Sequence, residues 1–243
     1  MLILGLTGSM GCGKSSVARL LAERGVRVLD SDLFARMALA PASPGFDQVV
    51  ERFGARVLDG TGALDRAGLG VALQEDPHGW QALEAIVHPE VRRLQAEALR
   101  RLDLENSSAV VVLDEPLLFE TGGEFLCDWV VVVACAERQM ERLQQRGGMA
   151  LTVQQAAMAR QMTEGEKCRR ADLVIDNRGS WEELVLQVES TCGWIGCVAG
   201  RVGESVWPKK WSNDSPPGNK SGSRGLAPRQ VQDSVLVGFG AKP

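Results

Sequence analysis

The stretch GLTGSMGCGKSS, residues Gly5–Ser16, carries Gly8 and then, after four residues, Gly13-Lys14-Ser15, in the pattern G-x-x-x-x-G-K-[ST]. Glycines let the backbone turn its N–H groups inward around phosphate oxygens, where a side chain would obstruct them. The flanks match what that loop needs. LILGLT (Leu2–Thr7) is a short apolar run ending at a glycine, which reads as a strand. KSSVARLLAERG (Lys14–Gly25) places Val17, Leu20 and Leu21 at helical spacing before a terminal glycine. A helix beginning at Lys14 adds the positive end of its dipole to the loop. In such a loop Lys14 reaches the β and γ phosphates of a nucleotide, and the Ser15 hydroxyl holds Mg²⁺.

Outward from the loop, apolar and amphipathic stretches alternate. VRVLD (Val26–Asp30), AVVVLDEP (Ala109–Pro116), DWVVVVA (Asp128–Ala134) and ADLVID (Ala171–Asp176) read as four further strands. Val-rich runs of this kind suit parallel strands covered on both faces, so the expected architecture is an α/β sheet flanked by helices. Residues 31–108 are too many for a simple crossover. They read as several helices, in PGFDQVVERFG, LDRAGLGVALQ and WQALEAIVHPEVRRLQAEALRRL. The polar stretch between ERQMERLQQR (Glu137–Arg146) and the last strand is a candidate lid. Beyond Ile195 the composition turns to Pro, Gly, Ser and Lys, and Gly196–Pro243 is expected to be a mostly disordered tail.

The composition excludes several classes. A chain of 243 residues, 44% hydrophobic, can bury one substantial core. Its net charge of −4 argues against a nucleic-acid protein, which clusters Lys and Arg against phosphates. Seven of its basic residues lie in the tail against three acids, so the body is more acidic still. Six cysteines and two histidines fall at no metal-binding spacing, and reduced cytosolic thiols are the better reading. MLILGLTG lacks a basic n-region, and no run approaches the ~20 apolar residues a membrane span needs. The expected protein is soluble and cytoplasmic, with neither nucleic acid nor membrane as partner.

A phosphate loop names a nucleotide but not its fate. A small-molecule kinase, a GTPase-like switch and an ATPase driving a partner all use one. A switch would carry an Asn-Lys-x-Asp guanine-reading motif, and the one Asn-Lys here is Asn219-Lys220 in the tail. DGTG (Asp59–Gly62) then reads as a turn. VLDSDLFAR (Val28–Arg36) sets Asp30 and Asp32 at the carboxyl end of the second strand, on the side where open α/β sheets bind ligands. A kinase needs a carboxylate to receive or orient the proton of the attacking hydroxyl, and Asp32 is the candidate. Helix capping by Ser31 and Asp32 is the competing reading. Asp114, in VLDEP, stands where phosphate-loop proteins keep a carboxylate that holds Mg²⁺ through water.

Five blocks, GLTGSMGCGKSSVARLLAERGVRVLDSDLFAR, GALDRAGL, AIVHPEVR, DEPLLFE and ADLVIDNRG, occur in the order and spacing of the dephospho-CoA kinases, which the chain resembles over about residues 2–189. The resemblance implies a phosphate-loop kinase fold with a five-stranded parallel sheet flanked by helices, an inserted helical substrate domain and a lid. The domain would span 1–195, with the insertion at about 33–106 and the lid at about 147–170. The implied reaction phosphorylates the ribose 3′-hydroxyl of dephospho-CoA with ATP, giving coenzyme A and ADP, with Mg²⁺ as cofactor. Gly11, Cys12 and Ser16 then join Gly8, Gly13, Lys14 and Ser15 in binding ATP, and Asp32 matches the catalytic aspartate. Arg66, His88, Pro89 and Arg92 fall on the substrate side. Arg142, a catalytic arginine, and Arg146 fall where the family faces the phosphates, and Asn177 and Gly179 match the loop near the adenine. The chain departs from the family at Ser9, usually Gly, at Ser16, usually Thr, and at Ala157, where an arginine commonly precedes Gln161 by four residues.

Overall fold

A computed structural model of the chain describes residues 1–136, 138–139, 158, 161–199, 207, 211 and 229–230. It divides into two compact units, Met1–Leu29 with Glu105–Pro243, and Asp30–Leu104.

The first unit is built on a sheet of β1 (Leu2–Gly8), β2 (Arg27–Asp30), β3 (Val110–Asp114), β4 (Trp129–Ala134) and β5 (Leu173–Asp176). A two-residue strand β6 (Arg229–Gln230) lies beyond β5, and the order across the sheet is β2-β3-β1-β4-β5-β6. The registered pairs β1·β3, β1·β4, β4·β5 and β5·β6 are all parallel. Every residue of β1 is buried, as an unbroken apolar run at the centre of a covered sheet requires. Edge strand β2 is half-exposed instead. Helices α1 (Lys14–Glu23) and α7 (Trp181–Ala199) pack beside each other. Val17, Leu20 and Leu21 of α1 meet Leu184 and Val188 of α7 and Leu4, Leu6, Val131 and Ile175 of the sheet in one core.

The five expected strands stand within two residues of their expected bounds. Helix α7 runs four residues past Ile195, where the composition changes. Trp207 and Trp211, in the segment expected to be disordered, are both buried, and the Trp211 indole N–H donates to the Leu126 carbonyl at 3.0 Å. Both side chains sit out of solvent although the composition around them is loop-like.

The second unit is helical: α2 (Ser31–Ala38), α3 (Pro44–Phe53), α4 (Arg66–Glu75) and α5 (Gly79–Glu105). Val49, Phe53, Val57, Leu69, Ala72 and Leu73 form its core. Side chains start three of these helices: Asp30 caps α2, Ser43 caps α3 and Asp65 caps α4. Pro89 stands inside α5, which gives up one backbone hydrogen bond there and continues.

Candidate active site

The carboxyl ends of β1, β3, β4 and β5 form one edge. Register pairs Leu6 with Asp114, Gly8 with Val133 and Ala134 with Asp176, so the chain leaves β1 at Gly8 between the carboxyl ends of β3 and β4. Gly8 is required there by close approach. A Cβ on it would lie 2.5 Å from the Cys12 sulfur and 2.6 Å from the Val133 carbonyl oxygen. Gly11 and Gly13 sit at φ 81° and 90°, in the left-handed region that turns the loop back into α1.

Among the helices whose N-terminal caps are defined, α2, α3, α4 and α6 (Glu164–Arg170) each receive a side-chain acceptor, the last from Thr163. Helix α1 receives none, and its cap residue is Gly13. No side chain caps the first turn of α1, where the Ser16 N–H donates to the Gly13 carbonyl at 2.9 Å, and this is the helix end at which the motif expects a phosphate. Lys14 opens this helix and its ammonium is ion-paired with Asp114; the two side chains are 14% and 9% exposed. Ser15 is exposed and Ser16 half-buried in the same turn. The Cys12 thiol is buried, and loss of hydration pushes its pKa up to about 11, against an opposing pull from Lys14.

Asn177, at the end of β5, is buried and donates its side-chain N–H to the Cys12 carbonyl at 2.8 Å. It therefore braces the phosphate loop. The Gly179 carbonyl accepts from the Arg138 guanidinium at 3.0 Å.

In the helical unit Asp32 is exposed on the first turn of α2. The capping expected of Ser31 and Asp32 falls to Asp30, whose carboxylate accepts the Asp32 N–H at 2.8 Å. Ser31 is instead buried and accepts from the Gln95 side chain at 2.9 Å. Arg66 is exposed at the start of α4, and His88 and Pro89 are exposed on α5. Arg92, one turn on, is half-buried and donates to Gln95 at 3.3 Å. Arg142, Arg146 and Ala157 lie outside the described residues.

Several residues beside the loop escape a motif reading. Gln139 and Gln161 both bond to the backbone of Met10. Glu164 accepts the N–H groups of Cys135 and Ala136, each at 2.8 Å. Lys167 is fully buried, paired with Glu120 at 3.0 Å and donating to the Pro116 carbonyl at 2.9 Å. Residues 161–170, the last part of the expected lid, are thus anchored to the sheet unit. DEPLLFE and the residues before β5 were the visible signals, but neither spacing nor composition gives the pairings.

A parallel sheet in this order, with a Gly-Lys-Ser loop between its central strand and an uncapped helix, defines a phosphate-loop kinase fold. The sequence profile of the dephospho-CoA kinases matches residues 2–183. A dephospho-CoA kinase of Symbiobacterium thermophilum is 43% identical over 209 residues, covering 84% of each chain. One of Streptomyces avermitilis is 43% identical over 209 residues, covering 84% of this chain and 99% of the other. The crystal structure of TT1252 from Thermus thermophilus superposes with a TM-score of 0.68 at 37% identity, covering 80% of this chain and 97% of that one. The chain belongs to the dephospho-CoA kinase family, and it is a kinase. No helix among the described residues is long and apolar enough to cross a membrane.

Proposed function

We propose that the chain transfers the γ-phosphoryl group of ATP to the ribose 3′-hydroxyl of dephospho-CoA, giving coenzyme A and ADP, the last step of coenzyme A synthesis. The observation that carries this reading is the uncapped N-terminus of α1 behind a glycine loop, with Lys14 held by Asp114, in a chain of this family.

Gly8, Gly11, Cys12, Gly13, Lys14, Ser15 and Ser16 hold the phosphates of ATP, mostly through backbone N–H groups, and the Lys14 ammonium neutralises charge on the β and γ phosphates. Asn177 and Gly179 lie toward the adenine, where Asn177 also stiffens the loop. Asp32 accepts the proton of the attacking 3′-hydroxyl. Arg66, His88, Pro89 and Arg92 serve the acceptor, whose pyrophosphate needs cationic partners. Arg142 and Arg146 carry the same assignment toward the ATP phosphates.

The cation is Mg²⁺. Kinases that use ATP work with a divalent ion, which would be held here by protein oxygens together with phosphate oxygens. No cluster of three metal-ligating side chains occurs among the described residues, which suits an ion held by one or two protein oxygens and substrate phosphates. The Ser15 hydroxyl and the Asp114 carboxylate, both hard oxygens beside Lys14, fit it. Held there, Mg²⁺ would neutralise charge developing on the transferred group. We place the enzyme in the cytoplasm, with the domain at 1–195, the substrate insertion at about 33–106 and the lid at about 147–170.

Incubation of purified protein with Mg-ATP and each of dephospho-CoA, AMP, shikimate and gluconate tests this reading. ADP release with dephospho-CoA alone is expected. Release with another acceptor alone overturns it in favour of a different kinase, and tight ATP binding without turnover favours a binding module.

A further inference from the structure

We propose that Gln139 and Gln161 are positioning residues that clamp the phosphate loop through the backbone of Met10. Gln161 accepts the Met10 N–H through Oε1 at 2.9 Å. Gln139 donates Nε2 to the Met10 carbonyl at 2.8 Å. The two side chains therefore hold the peptide planes on either side of Met10, one by its donor and one by its acceptor.

The loop needs such a device. Gly11 and Gly13 at positive φ make its second half conformationally permissive, and a peptide that flips turns a carbonyl toward the phosphates in place of an N–H. Asn177 fixes the Cys12 carbonyl from the β5 side. Before Gly11, the two glutamines fix the chain from the side of β4 and α6.

Both glutamines are themselves held. The turn after β4 that leads to Gln139 is pinned by Glu164, whose two oxygens accept the Cys135 and Ala136 N–H groups, and the Gln139 N–H bonds the Ala136 carbonyl at 3.2 Å. Glu164 begins α6, three residues after Gln161. Position therefore passes from the β4–α6 junction to Met10 by side-chain amides whose reach is set by packed elements. A loop pre-set in its binding shape does not spend ordering entropy when the nucleotide arrives.

The inference rests on the kinase reading for its kinetic test but not for its binding test. Gln139→Leu and Gln161→Leu keep side-chain bulk and remove the hydrogen bond. Each is expected to raise the KM for ATP and the calorimetric Kd for ATP by roughly fivefold, the weight of one neutral hydrogen bond. The KM for dephospho-CoA stays within about twofold, the Tm is unchanged, and amide hydrogen exchange quickens in Ser9–Gly13 alone. Unchanged ATP affinity and loop exchange in both variants overturn the clamp. So does a fall in Tm with faster exchange across the whole sheet, which marks a merely structural role. Should a leucine variant fail to fold, Gln→Asn at the same position shortens the reach by one methylene, and wild-type ATP affinity in both Asn variants overturns the clamp equally. A parent protein that binds ATP but leaves dephospho-CoA unphosphorylated sinks the functional reading, while ATP affinity and loop exchange still decide the clamp.

Discussion

The Lys14 ammonium sits on the Asp114 carboxylate, each side chain nearly buried at the carboxyl edge of the sheet. Neither charge is stable alone there, since removing one partner of a buried pair leaves the other uncompensated. The pair therefore keeps the lysine at the end of β3, next to the loop, before nucleotide binds. Lys14→Ala is expected to lower kcat by about a hundredfold, the loss typical of one electrostatic contact to the transition state. Asp114→Asn acts differently, raising the Mg²⁺ concentration for half-maximal rate by about tenfold or more, as for a group that orients a metal through water. Steady-state rates over a Mg²⁺ titration check both. Turnover by Lys14→Ala within about threefold of wild type contradicts its role.

Asp32 is relieved of capping, since Asp30 performs it. Its carboxylate is exposed on the first turn of α2 and open to an acceptor hydroxyl. Asp32→Asn is expected to retain ATP binding and lose about a hundredfold or more in kcat, as for removal of a general base. Binding by calorimetry and single-turnover rates separate the two effects. Near-normal kcat in Asp32→Asn, with Asp114→Asn inactive at saturating Mg²⁺, exchanges the two assignments.

The Cys12 thiol lies within the phosphate loop yet is buried, and its pKa stands at about 11. The thiolate is the reactive form, so alkylation at pH 8 should be far slower at Cys12 than at the exposed Cys197. Since the folded pKa exceeds the ordinary value of 9.0, the unfolded chain ionises first. Below pH 9 the group leaves stability unchanged; between about pH 9 and 11 stability falls. Iodoacetamide labelling followed by mass spectrometry checks the order. Equal rates at Cys12 and Cys197 would falsify the buried placement.

The sheet and the loop were legible because both leave local marks. Val110–Asp114 and Trp129–Ala134 are continuous apolar runs, and Gly8, Gly13 and Lys14 stand at a spacing few other structures require. The bracing of that loop was not legible, because Asn177, Gln139 and Gln161 reach it across separations of 129 to 165 residues. Single amide side chains leave no periodicity. Pro89 carries a local signal for a helix start, yet α5 runs through it, as the continuous helical reading of WQALEAIVHPEVRRLQAEALRRL expects.

A similar contest between local and tertiary signals bears on Trp207 and Trp211, in the segment after Ala199. Its Pro, Gly and Ser content argues for disorder, but composition averages over residues and does not register the burial of Trp207 and Trp211. Trp207 and Trp211 are 7% and 5% exposed, with ring centroids 6.3 Å apart. The Trp211 N–H is paired with the Leu126 carbonyl, close to the start of β4. Removing a buried tryptophan typically costs ~3 kcal/mol or more. In a chain of this size that is a Tm lower by about 6–12 °C. Trp211→Ala, and truncation after Ala199, should each give such a shift while leaving kcat at 20 °C within about twofold, because neither tryptophan belongs to the phosphate loop. Differential scanning calorimetry with parallel rate measurements decides it. A Tm within about 1 °C of the full chain would mean that the tryptophans carry no stability. A loss of kcat with unchanged Tm would instead give the segment a part in the reaction itself.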